Sequence, residues 1–235
     1  MLILGLDVET TGLDPANDKI IEIGAVLWDT ESLTPVKIFS EMIRETEDLV
    51  IPPEIINLTG ITTEMLHRFG VLPNGNLFQE LYWMMDRATH YCAHNAPFDR
   101  GFLDSFFKRY GRGVPPKTWI DTCTDPPYPP RMKHRSLIYL AAEHGFLNPF
   151  SHRAVTDVLS MLKVLSHYDI EQILTQAQSP TLEVTALVSY EERNRAKEAG
   201  FRWNGEQKKW QKRIKANAFD AKAYSFPLDV VELNP

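Results

Sequence analysis

The N-terminal segment 2–8 is almost wholly apolar, yet Asp7 lies within it and Glu9 follows two residues later. A short apolar run of this kind predicts a β-strand that is buried on both faces. Side chains alternate along a strand, so both carboxylates are expected on the same face. Burial of two like charges costs free energy unless a cation neutralises them, and Mg²⁺ and Mn²⁺ prefer oxygen ligands. The alternative is a strand end whose acids reach water and cap the next turn.

Three strand-like segments precede any helical pattern in this chain. They are rich in β-branched and aliphatic residues, are separated by turn signals, and lie at 2–8, 19–28 and 36–43. Apolar residues then recur with a helical period in four segments: 76–85, 97–110, 136–144 and 154–168. Two further short strands are expected at 89–93 and 119–121. This order predicts an α/β fold in which helices flank a mixed sheet.

A second acidic motif, with the sequence His-Asn-Ala-Pro-Phe-Asp at 94–99, lies at a predicted junction between a strand and a helix. Asp99 falls in the first helical turn, where the helix dipole favours a negative charge. Taken alone, such an acid is more typical of an ordinary helix start than of a metal ligand.

A third motif combines His152 with Asp157. Asp157 lies beside the apolar stripe of the predicted helix, so its carboxylate can point toward the sheet. His152 lies five residues earlier, roughly 140° away around a helix, so it can approach Asp157 only from the preceding loop. An imidazole at that place can accept a proton near neutral pH. Taken alone, a histidine before a helix is more often a surface residue or a cap.

As an ordered set, the three motifs resemble those of the DEDDh exonucleases, the DnaQ-like family of the proofreading subunit of bacterial DNA polymerase III. The matching segments are 7–12, 94–99 and 152–157, and the five-residue spacing from His152 to Asp157 is that of the histidine subtype. Segment 51–62 resembles the part of the family that lies near the terminal nucleotide. The resemblance covers roughly residues 1–170 and implies a ribonuclease H-like fold.

The resemblance also implies a mechanism, namely 3′→5′ hydrolysis of terminal phosphodiester bonds with release of nucleoside 5′-monophosphates. Two divalent cations, Mg²⁺ or Mn²⁺, would be held by the four acids and His152 would act as general base. The implied catalytic set is Asp7, Glu9, Asp99, His152 and Asp157. The implied metal ligands are Asp7, Glu9, Asp99 and Asp157.

Six residues are candidates for contact with the substrate. By resemblance, backbone N–H groups at Thr10 and Thr11 hold the terminal 3′-hydroxyl, and two leucines wedge against the terminal base. The complete set is Thr10, Thr11, Leu13, Leu58, Asn95 and Phe98. For the apolar members, a role in the core is an open alternative. The expected substrate is single-stranded DNA or a frayed 3′ end.

Charge is distributed unevenly along the chain, whose formal net charge is −6. Residues 193–215 hold nine basic side chains against two acidic ones. We therefore expect an exonuclease domain at 1–175 and a small basic α+β module at 181–235, with a strand at 181–189, a helix at 190–199 and a hairpin at 201–214. Phe201, Trp203 and Trp210 interleave with the basic residues, which suits nucleic-acid binding, protein tethering or simply the module's own core.

Other functions stay open at this point. They are a proofreading subunit that docks onto a polymerase or another replication protein, an RNA exonuclease, and a catalytically silent nucleic-acid-binding module. The complete set of acids favours an enzyme over the silent module. No run of about 18 apolar residues is found, so a membrane partner is not expected. Cys92 and Cys123 lack metal-ligand spacing and indicate ordinary thiols of a cytoplasmic protein.

Overall fold

The computed structural model describes residues 1–233, in two compact units that meet in sequence between Leu174 and Thr175. The N-terminal unit contains a five-stranded sheet in the order β3-β2-β1-β4-β5. Its strands are β1 Leu2–Thr10, β2 Ile20–Asp29, β3 Thr34–Met42, β4 His90–Ala93 and β5 Trp119–Asp121. Strands β1–β3 pair antiparallel, whereas β4 and β5 run parallel to β1. The predicted mixed sheet is confirmed.

Seven helices accompany this sheet among the described residues. They are α1 Pro53–Thr59, α2 Thr63–Phe69, α3 Gly75–Arg87, α4 Ala96–Arg109, α5 Leu137–Glu143, α6 Ala154–Leu165 and α7 Ile170–Gln178. The sequence predicted α3 to α6. It missed α1 and α2, which have seven residues each, and α7, although Ile170, Ile173 and Leu174 have helical spacing there. Within residues 1–233, no helix is long and apolar enough to cross a membrane.

The two faces of the sheet differ in how closely helices approach the backbone. One face packs its aliphatic side chains, such as Leu4 and Leu6, against phenylalanines of α4 and apolar residues of α3. On the other face, Gly5 and Gly24 let α6 lie directly on the backbone. A Cβ added to Gly24 would lie 2.5 Å from the carbonyl carbon of Ala154, at the start of α6. The start of this helix is therefore held against β2.

Up to residue 233, the C-terminal unit contains a four-stranded antiparallel sheet in the order β7-β8-β6-β9, one short α-helix and two 3₁₀ turns. The strands and the α-helix are β6 Thr181–Ala186, α8 Arg193–Glu198, β7 Arg202–Asn204, β8 Lys209–Lys215 and β9 Leu228–Leu233. The sequence predicted all of them except β9, whose side chains are mostly exposed and carry no alternating pattern. Phe201 and Phe226 are buried in the core of this unit.

Candidate active site

The first two acids lie on β1 where it extends past the end of β4. The β1–β4 pairing stops at Gly5, so residues beyond it have no strand partner on that side. Asp7 lies opposite Gly24 of β2, and Glu9 lies opposite Glu22. These positions belong to the face that α6 covers, so the helix closes over two carboxylates. Glu9 is buried, with 8% of its surface exposed.

Asp99 approaches β1 from the beginning of α4. The preceding Asn95 adopts a left-handed conformation (φ 74°), and its N–H donates to Asp121 Oδ1 at 3.0 Å. This turn directs α4 so that Asp99 Oδ1 accepts the backbone N–H of Val8 at 3.1 Å. Since Val8 lies between Asp7 and Glu9, the bond places the buried Asp99 carboxylate beside both acids of β1.

His152 and Asp157 are brought together at the start of α6. His152 has left-handed backbone geometry (φ 63°), and its N–H donates to Asp157 Oδ2 at 2.7 Å. The other carboxylate oxygen, Asp157 Oδ1, accepts the side-chain amide of Asn148 at 2.7 Å. One ligand atom from each of Glu9, His152 and Asp157 lies within 4.8 Å of the others. Such spacing suits a group that holds a metal ion.

Sequence reasoning missed a fifth acid of this region, Glu22 of β2. Its carboxylate accepts three bonds from the Arg153 guanidinium, two from Nε and one from Nη2 at 2.6 Å, and a fourth from the Ala154 N–H at 2.8 Å. Glu22 therefore caps α6 and is already neutralised by Arg153, which makes it a positioning residue rather than a metal ligand. A lone acid between Ile21 and Ile23 was the signal that could have revealed it.

The proximity of these acids changes their protonation. Burial, and after it repulsion from Asp99 and Glu9, raises the pKa of Asp7 well above its usual range. Burial, together with repulsion from Asp157, raises the pKa of Glu9 to about 8, although Arg153 opposes the shift. Burial also raises the pKa values of Asp99 and Asp157. The site thus lacks the positive charge that four ionised carboxylates need.

The apolar candidates for substrate contact differ in exposure. Leu13 is 84% exposed and Leu58 is 50% exposed, so neither belongs to the core. Phe98 is half-buried and packs against Phe102, with ring centroids 4.8 Å apart. The side chain of Asn95 is exposed at the turn before α4. Two leucines therefore remain free for contact with a ligand, while Phe98 has a packing role in any case.

The threonine pair lies at the end of β1, where this strand pairs with β2. The N–H of Thr11 donates to Lys19 O at 2.9 Å within the β1–β2 hairpin. The Thr11 hydroxyl donates to Asp18 Oδ1 at 3.0 Å. Thr10 is buried, and its hydroxyl donates to Gly12 O at 2.6 Å. Strand pairing thus engages the Thr11 N–H, and contact of Thr10 and Thr11 with a 3′-hydroxyl stays a prediction.

Comparison with protein families gives two matches. A family model described as "Exonuclease" matches residues 4–165, and a model for a domain of unknown function matches residues 182–231. Among curated relatives, the chain is 33% identical over 209 residues to the PolC-type DNA polymerase III of Staphylococcus haemolyticus. That match covers 79% of this chain and 14% of the relative. The Staphylococcus aureus protein of the same name is 33% identical over 187 residues, a match that covers 72% of this chain and 12% of the relative.

Solved structures show the same architecture. Exonuclease I is similar with a TM-score of 0.63 at 16% identity, over 79% of this chain and 48% of that chain. The nuclease domain of 3′hExo, described as a DEDDh family member bound to rAMP, has a TM-score of 0.58 at 20% identity. This match covers 71% of this chain and 90% of that chain. This chain thus spans about half of Exonuclease I and a small part of the polymerases. The predicted ribonuclease H-like fold is confirmed.

Proposed function

Because the chain belongs to the DnaQ-like family of 3′→5′ exonucleases, we propose that its N-terminal unit hydrolyses the terminal phosphodiester bond at the 3′ end of a nucleic-acid strand. The product is a nucleoside 5′-monophosphate. The observation that carries the proposal is the convergence of four carboxylates and a histidine from three separate chain segments at one end of β1.

Two divalent cations fit this set of residues. The raised pKa values of the buried acids indicate a site that positive charge would stabilise, and carboxylate oxygens are the ligands that Mg²⁺ and Mn²⁺ prefer. Asp7, Glu9 and Asp157 would hold one cation, and Asp7 with Asp99 the other. When bound, the cations would supply Lewis-acid polarisation of the scissile phosphate and neutralise developing charge.

His152 is the proposed general base. Its ring lies within metal-ligand spacing of Glu9 and Asp157, yet the residue is exposed, so a proton taken from the attacking water can pass to solvent. The bond from its backbone N–H to Asp157 restrains the loop that carries the ring. The Glu22–Arg153 pair in turn holds the start of α6 against β2. These contacts orient the base without using its imidazole.

The proposed substrate is a single-stranded or frayed DNA 3′ end. Leu13 and Leu58 are exposed apolar side chains that can pack against an unpaired base. E. coli Exonuclease I is known with a dA16 oligonucleotide bound, which supports DNA for a related fold. The 3′hExo nuclease domain with rAMP supports RNA as the second candidate.

A polymerase partner is a further candidate. The curated relatives are PolC-type DNA polymerases, and this chain matches only a small part of their length. Stable co-purification with a replicative polymerase would support a proofreading role over a free-standing nuclease. The cytoplasmic location stays a prediction from the cysteine pattern.

Digestion of a 5′-labelled single-stranded oligodeoxynucleotide with Mg²⁺ or Mn²⁺ tests the reaction and its direction together. We expect a ladder that shortens from the 3′ end and is abolished by EDTA. Asp7→Asn should abolish it too while retaining DNA binding, whereas Glu47→Gln removes an exposed acid and should leave it unchanged. Internal cuts, shortening from the 5′ end, or normal turnover of Asp7→Asn would contradict the proposal. The same oligomer as RNA separates the two sugar classes.

A further inference from the structure

The aromatic residues of the C-terminal unit fall into two groups. Phe201 and Phe226 are buried, and Trp210 packs against their cluster from β8. Trp203 on β7 is different, because 53% of its surface is exposed and it does not belong to the cluster. The core of this unit therefore does not account for Trp203.

Trp203 is nevertheless held in place. It lies directly opposite Trp210 in the β7–β8 pairing, and the two ring centroids are 5.7 Å apart. Since Trp210 is anchored on the core, it supports one side of the Trp203 indole. The result is an exposed aromatic ring on a defined base at the edge strand of the sheet. Such a ring can receive another flat group with little further loss of conformational freedom.

Basic residues flank Trp203 along the chain in the β7–β8 hairpin, which spans residues 202–215. The hairpin holds six basic side chains and one acid, Glu206. Two of the six have internal roles, since the ammonium of Lys212 donates to Ala199 O at 3.1 Å and that of Lys215 to Ala177 O at 3.2 Å. The other four basic residues are exposed, namely Arg202, Lys208, Lys209 and Arg213. Arg213 lies 3.8 Å from Glu183.

We propose that this hairpin is a binding site for single-stranded nucleic acid, separate from the catalytic carboxylates. Trp203 stacks on an unpaired base while the exposed lysines and arginines contact phosphates. A polyanion with flat, accessible bases matches both features, whereas duplex DNA presents its bases stacked and paired. The hairpin lies outside residues 4–165, which the exonuclease model matches, so this binding site is distinct in sequence from the one proposed for the 3′ end.

Binding of the full chain to labelled dT20 in EDTA tests this site, because hydrolysis is then absent. Fluorescence anisotropy gives the affinity, and quenching of tryptophan emission reports stacking. We expect Trp203→Ala to weaken binding by about 5- to 150-fold and to remove part of the quenching. Trp203→Phe should retain most of the affinity. Lys208→Gln/Lys209→Gln should lower the slope of log affinity against log salt by about 1.4.

Two matched controls separate the site from general effects. Trp83→Ala removes a partly exposed tryptophan of the N-terminal unit, and Lys222→Gln removes an exposed lysine outside the hairpin. Both should bind as the unchanged chain does. A parallel series with U20 tells whether the site takes RNA as well as DNA. Because no hydrolysis is measured, failure of the exonuclease assay would leave this result intact.

The inference is overturned if Trp203→Ala and the double lysine variant bind dT20 and U20 with the affinity and salt slope of the unchanged chain. Unchanged quenching in Trp203→Ala would overturn the stacking role. In that case the hairpin would be a surface for a protein, and the nucleic-acid affinity of the chain would belong to the N-terminal unit alone.

Discussion

The protonation of Glu9 predicts that the metal-free protein loses stability as the pH rises. In the unfolded chain the pKa of this residue is about 4.5, whereas burial and repulsion from Asp157 raise it to about 8 in the fold. Between these values the folded state retains a proton that the unfolded chain releases. The stability that this proton provides is fully present below pH 4.5 and is lost as the pH rises toward 8. Glu9→Gln removes this dependence.

The size of the effect follows from the two pKa values. A difference of about 3.5 corresponds to about 5 kcal/mol at about 1.4 kcal/mol for each pH unit. The contribution of Glu9 to the unfolding free energy should therefore fall, from its full value at low pH, by about 1 kcal/mol at pH 5 and by about 4 kcal/mol at pH 8. The unfolding free energy of Glu9→Gln, relative to that of the unchanged chain, should therefore rise by about these amounts over the same pH ranges, apart from an offset that does not depend on pH.

Urea unfolding in EDTA at pH 5, 6, 7, 8 and 9 measures this gain. Replacing Trp203 and Trp210 by Phe in every chain leaves fluorescence from the three tryptophans of the N-terminal unit as the probe. Glu47→Gln, at an exposed acid, is the matched control and should give no pH-dependent difference. Saturating Mg²⁺ should remove most of the pH dependence of the unchanged chain, because bound cations replace the proton.

The reasoning is refuted if Glu9→Gln and the unchanged chain lose stability in parallel across the whole pH range. Glu9 would then be ionised in the fold without penalty, and the acids would not be an unneutralised cluster. A pH dependence that Mg²⁺ leaves unaltered would preserve the electrostatics but contradict the proposed metal ligands.

Four other variants test the support of the site and its proposed general base. Gly24→Ala places a methyl group against the backbone of α6, so it should lower the free energy of unfolding by about 1–3 kcal/mol and lower kcat. Normal stability and turnover would show that α6 can shift freely. Glu22→Gln should lower stability by about 1–3 kcal/mol and lower kcat, because it weakens the cap on α6. The double variant Glu22→Gln/Arg153→Met should recover stability in urea unfolding but not the digestion rate. Recovery of both would remove the positioning role of Glu22. His152→Ala should slow hydrolysis by about 10²–10⁴-fold and flatten the pH–rate profile, and an unaltered profile would exclude it as the base.

Local patterns in the sequence were sufficient for most of the elements. The continuous apolar run around Asp7, and the helical periods of α3, α4 and α6, depend on neighbours in the chain and can be read without a structure. The seven-residue helices α1 and α2 and the exposed strand β9 lack such a period. The order of the acidic motifs carried the family resemblance for the same reason, because motif spacing is a property of the chain itself.

The contacts that join these motifs were decided by the tertiary structure. Asp99 accepts a bond from Val8 only because β4 ends early and leaves that N–H without a strand partner. The N–H of Thr11 donates within the β1–β2 hairpin, and Glu22 has a structural role through Arg153, 131 residues away. Pairing register and helix packing set which groups meet, and these depend on residues far apart in the chain. The sequence therefore determined which acidic, basic and apolar groups the chain carries, and the packing of strands and helices determined which of them lie close together.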